Sequence, residues 1–166
     1  MTINVKLSTE SIEDAIRKLW AAKENLRTGM QQVVDVLAKD GAEVAEEAIG
    51  GMAEVSHESA PDSLFSATGR IIVSGKAAIV QEFGAGYAVM DYHPFADRAG
   101  VPVYVGSYSE ENEGDFYRTD LESPGEGFWM FGGARYDRVQ PRHGLLNAHD
   151  YIRENAGRIA SEVIKL

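Results

Sequence analysis

The chain has 166 residues, 44% hydrophobic and 25% charged, enough for one domain to bury a core without covalent staples. It contains no cysteine, which excludes disulfides and thiolate metal sites. A formal net charge of −10 argues against sequence-independent nucleic-acid binding, which depends on Lys and Arg neutralising phosphates.

No apolar run approaches the roughly 20 residues that span a bilayer. The stretch MTINVKLSTE lacks the basic-then-apolar layout of a signal peptide, so a cytosolic birthplace and no membrane contact are expected. The charge is unevenly spread. Tyr108 to Gly127 carries seven acids against the single base Arg118, whereas Ala134 to Leu166 carries six bases against four acids. One acidic and one mildly basic surface suit head-to-tail contact between copies.

In chain order, Ile3, Val5 and Leu7 alternate with polar residues and predict a short strand. STES, Ser8 to Ser11, supplies several possible N-caps, and Ser11 with Asp14 resembles a capping box. Ile12, Ala15, Ile16, Leu19, Trp20, Lys23 and Leu26 then recur at helical spacing, which places Trp20 in a core-facing stripe. The pattern resumes from Met30 to Ile49, with Thr28-Gly29 as an expected kink or break and Gly50-Gly51 as the stop. MAEVSHES and SLFSATGRIIVSG predict strands, with turn signals at Pro61-Asp62 and Ser74-Gly75. KAAIVQEF fits strand or helix equally. From Gly84 to about Gln140 the chain reads as a long, weakly regular excursion rich in Gly, Tyr and acids, in which PVYVGSY and GFWMFGG are each candidates for a short strand. A closing helix follows from about Gly144. The expected architecture is one α+β domain over 1–166: a long N-terminal helix and a C-terminal helix on a small, mostly antiparallel sheet, with 84–140 as a loop excursion.

AIVQEFGAG, Ala78 to Gly86, poses the sharpest chemical question. A phosphate loop needs a helix start and usually a lysine after its glycines, and YAVMDYHPF supplies neither. The expected role of Glu82, Phe83, Gly84 and Gly86 is a structural turn, with Phe83 as inward anchor and Glu82 accepting backbone hydrogen bonds or pairing with an arginine. The rival reading makes Glu82 a general acid beside a histidine such as His93.

His57, His93, His143 and His149 show no i, i+4 metal spacing and no HExxH, so no metal site and no cofactor are expected. No GxSxG elbow accompanies the serines. SEENEGDFYRTDLESPGE lacks the acid spacing of a calcium loop and reads as a solvated segment. Tyr104, Tyr108, Phe128, Trp129 and Phe131 are candidate interface residues, since an aromatic cluster in such a segment is either a satellite core or a contact surface.

The order of these parts carries a resemblance. LAKDGAEVAEEAI lies in the long helix, and GKAAIVQEFGAG precedes the excursion. GFWMFGG, Gln140-Pro141 and LLNAHDYIRENAGRIASEVI close the chain. This resembles the head–tail joining or tail-completion proteins of long-tailed bacteriophages, in which an Ala-rich segment runs into Glu-Phe-Gly-Thr-Gly. Here Ala85 stands in the threonine position. The resemblance implies a non-enzymatic virion protein of the neck or tail, made in the host cytoplasm, that forms a ring, expected to be sixfold. Its partners would be connector and tail-tube or tail-terminator proteins, and DNA would pass without specific binding. On that reading Glu110, Glu111 and Glu113 are candidate channel-facing acids that repel the phosphate backbone. The other readings are a small intracellular hydrolase or a protein-binding module.

Overall fold

A computed structural model describes residues 8–63, 66–75, 77–85, 93–99, 103–105, 108–118 and 127–164. The expected strand at Ile3 to Leu7 and the glycine Gly86 lie outside these residues. The elements in order are α1 (Thr9–Ile49), β1 (Glu54–Ser63), β2 (Ser66–Ser74), α2 (Ala78–Phe83), α3 (Ala96–Ala99), β3 (Val103–Val105), a 3₁₀ turn (Glu110–Asn112), β4 (Phe116–Arg118), β5 (Gly127–Phe131), β6 (Ala134–Tyr136) and α4 (Gly144–Val163). The class is α+β, with two long helices and two small sheets. Within KAAIVQEF, Ala78–Phe83 resolves as helix.

Contacts divide the chain into two compact units, Met1–Gly41, His57–Ile71 and Asp150–Leu166 in one, Ala42–Ser56 and Ile72–His149 in the other. In the first unit, α1 starts at Thr9, and of the caps that STES offers it uses Ser8 instead of Ser11. Ser8 Oγ accepts the Ser11 N–H at 3.3 Å, whereas Asp14 pairs with Arg17 and Lys18. The helix runs through Gly29 without a break. A β-carbon at Gly29 would lie 3.0 Å from Ile164 Cγ1, so the missing side chain makes room for an approaching segment instead of bending the helix. Pro61 and Asp62 stay inside β1 instead of turning the chain. A two-stranded sheet has only edge strands, where proline is tolerated. Asp62 Oδ2 accepts hydrogen bonds from Ser66 and Thr68 on β2.

Trp20 departs from its expected core position. It is 64% exposed, and Ile12, Ile16 and Leu19 are exposed along the same stripe. The ammonium of Lys23 sits 4.8 Å from the centre of the Trp20 ring.

The second unit holds the larger sheet, of order β3-β4-β5-β6. β3 runs parallel to β4, and the other neighbours are antiparallel. The weakly regular stretch 84–140 carries strands of three to five residues, β3 and β5 in the two segments expected to form short strands, with β4 and β6 beyond that expectation. Such lengths are too short to print a periodicity. GFWMF obeys the two-residue alternation of a strand buried on both faces. Trp129 joins Val80, Phe83, Ala85 and Phe116 in one cluster, with Phe131 against it. Phe128 and Met130 join Tyr117 in the other, with Tyr108 against it.

Candidate functional site

α2 ends at Phe83 because Gly84 takes φ 73°, a conformation that favours glycine, while its N–H closes the helix on Val80 O at 2.8 Å. Ala85 then pairs with Val139, donating its N–H to Val139 O at 2.8 Å. Phe83 is buried in the core of this unit, and the carbonyl of Gly84 accepts the indole N–H of Trp129 at 2.7 Å. The geometry at Gly84 is that of a sharp exit from a packed helix.

Glu82, on the same short helix, is 4% exposed. Its Oε2 accepts the backbone N–H of Leu145 at 2.7 Å, and its Oε1 accepts that of Leu146 at 3.0 Å. Both donors belong to the first turn of α4, where backbone N–H groups lack intrahelical acceptors and the helix dipole favours a negative charge. The carbonyl of Gln81 adds to this junction, accepting the N–H of Arg142 at 2.6 Å and of His143 at 3.3 Å. The last turn of α2 therefore fixes the start of α4. Sequence reasoning offered backbone donors or an arginine for Glu82, and the partners are two backbone groups and one histidine.

That histidine is His93, 7% exposed, whose Nε2 lies 2.9 Å from Glu82 Oε1. Its other ring nitrogen, Nδ1, accepts the Phe95 N–H at 3.2 Å, so the neutral ring carries its proton on Nε2 and donates it to Glu82. The pair imagined for a hydrolase thus exists in space. Yet both histidine nitrogens and both carboxylate oxygens are occupied by protein partners, which leaves no free lone pair on His93 to activate a nucleophile.

His143 completes the cluster. Its backbone has φ 53°, its ring centre is 5.4 Å from that of His93, and its buried Nδ1 has no hydrogen-bond partner among the described residues. Glu82, His93 and His143 each offer one donor atom, and these atoms all lie within 4.8 Å of one another. Spacing missed this grouping because the residues sit on separate segments. No shared local pattern marks them either: His93 precedes Pro94, whereas His143 precedes Gly144.

The other candidates are scattered. Phe128 and Trp129, for which a satellite core and a contact surface stood as alternatives, are core residues, at 7% and 0% exposure. A large flat ring that fills the space under a sheet cannot also face a partner. Tyr108 and Phe131 are half-buried against those clusters, and the side chain of Tyr104 lies outside the described part of the chain. Glu110, Glu111 and Glu113 are exposed around the 3₁₀ turn, but Glu113 also accepts the N–H of Gly132 in the β5–β6 turn. Burial, followed by the charges of Glu113 and Glu110, raises the Tyr108 phenol above its ordinary value. A comparison with protein-family models finds no match for this chain, and curated proteins and solved structures give none.

Proposed function

We propose that this chain is a structural protein of a tailed bacteriophage or prophage, which joins head to tail or completes the tail by assembling in copies at the neck. The observation that carries the reading is the bare stripe Ile12, Ile16, Leu19 and Trp20 on α1. Apolar residues at i, i+4, i+7 and i+8 form one continuous helix face, and a large apolar face left to water is the usual mark of a surface completed by another chain. The order of elements in the family resemblance supports the same reading. The partners would be further copies of this chain in a ring, probed as sixfold, with connector and tail proteins above and below. Exposed Glu110 and Glu111 would line the DNA path without binding it.

The deciding experiment is electron microscopy of particles from the parent phage with this gene deleted and restored in trans. Full heads separated from tails, or tails of aberrant length, with rescue by the protein, are expected. Normal infectious particles would overturn the reading.

A hydrolase is the second reading, favoured by the 2.9 Å contact between Glu82 and His93. Against it stands the Phe95 N–H on the remaining nitrogen of His93.

A further inference from the structure

We infer that Glu82, His93 and His143 form a binding site for one divalent cation of the zinc class, which ties α2, the segment at residue 93 and the start of α4 together. This does not rest on the neck reading.

Two imidazoles and one carboxylate are a donor set that suits zinc, with a fourth position left to water. The three donor atoms already lie within 4.8 Å of one another, so a single ion reaches all of them with small movements. His93 Nε2 and Glu82 Oε1, at 2.9 Å, are as close as two ligands on one ion. Nδ1 of His143 is buried without a partner, a cost that the described structure does not otherwise offset.

The carboxylate can serve the ion without leaving α4. Each of its oxygens has two lone pairs and gives one to a helix N–H, at Leu145 and Leu146. Those two N–H groups then hold a ligating carboxylate in place, as outer partners do in metal sites. Its negative charge also offsets the repulsion between a cation and the positive end of α4.

His93 must give up two hydrogen bonds, its Nε2–H to Glu82, which the shared ion replaces, and the Phe95 N–H on Nδ1. Coordination through Nε2 moves its proton to Nδ1, where the Phe95 N–H now donates. Neutral His93 releases no proton on binding, but the 3.2 Å bond to Phe95 is lost. The Glu82 contact is replaced by coordination to the same ion, and the long bond to Phe95 is a small loss against a zinc–nitrogen bond.

The test uses the full chain freed of metal with a chelator, with zinc chloride as the probe. Native mass spectrometry should show one zinc per chain, and the melting temperature should rise with zinc. His143→Asn keeps a residue that tolerates φ near 53° and should weaken binding by more than about tenfold, since even loss of an outer partner costs about 10–100-fold. His149→Asn should bind zinc as the parent does. A second measurement stands even if a variant fails to fold. Nitrogen NMR of the parent's histidines should show His93 switching from its Nε2–H to its Nδ1–H form with zinc, while His57 keeps its signals. No bound zinc, undiminished binding in His143→Asn, or an unchanged His93 tautomer would overturn the proposal.

Discussion

The indole Nε1–H of Trp129 donates a 2.7 Å hydrogen bond to the carbonyl of Gly84, and both groups are buried. This single bond ties the exit from α2 to β5, one of the two central strands of the larger sheet. It also explains why the aromatic GFWMF segment faces inward. An indole in a core needs an acceptor, and the turn at Gly84 aims one at it.

Trp129→Phe should therefore act on stability. The variant keeps an aromatic ring but leaves the Gly84 carbonyl unpaired in the core, which costs about 1–3 kcal/mol, with a further loss for the gap beside a smaller ring. Urea denaturation followed by circular dichroism measures it. A residue serving mainly as a contact to another chain would instead show an unchanged midpoint and weaker association.

Glu82→Gln removes a charge that serves three donors at once: the Leu145 N–H, the Leu146 N–H and the His93 ring. A carboxamide has one acceptor oxygen, so its NH₂ must face at least one of these donors. The expected loss is about 1–3 kcal/mol of unfolding free energy, with earlier exchange of the amides in the first turn of α4. Hydrogen exchange resolved by residue gives the second readout. Should the variant melt like the parent while some hydrolytic turnover disappears, the enzyme reading would gain and the structural one would fall.

The amino-acid pattern announces some of these relationships and hides others. α1 was legible because four decades of residues repeat one period, and its stop was legible because Gly50 and Gly51 can take the positive φ they adopt. The absence of a break at Gly29 was not, since the reason is the approach of Ile164, distant in sequence. The alternation Phe128, Trp129, Met130, Phe131 did contain both buried faces, but four apolar residues in a row fit a core strand and a contact patch alike. The histidine–glutamate cluster left no spacing signal. Glu82 and His93 are 11 positions apart, and His143 comes from a third segment. Only the fold brings them together.

Alkaline pH offers a test in the first unit. The Tyr151 hydroxyl donates to Asp40 Oδ2 at 3.1 Å. Burial, this hydrogen bond and the Asp40 charge raise its phenol above the ordinary 10.0, with Arg158 opposing. The folded chain thus keeps the proton past the pH at which the unfolded chain has lost it. The stabilising contribution is complete below the unfolded value and is lost as pH rises through the folded one. Tyr108 shifts in the same direction and adds to the loss. Melting temperature should fall as pH rises above 10, and more gently in Tyr151→Phe. An equal slope in that variant would assign the alkaline loss to other groups.

The stripe on α1 gives the prediction closest to assembly. Leu19 and Trp20 are 58% and 64% exposed, so Leu19→Glu with Trp20→Glu removes little packing within the chain. Exposed substitutions of this kind usually change stability by no more than about 0.5 kcal/mol. If the face is completed by a second copy, placing two carboxylates on it should weaken association by at least about tenfold, because truncating a central aromatic anchor alone costs about 2 kcal/mol or more. Sedimentation velocity over a concentration series, on parent and variant, reads this directly. A variant that melts well below the parent yet sediments identically would mean that the stripe packs within its own chain. Unchanged melting with the larger species lost would identify the stripe as the surface that builds the ring.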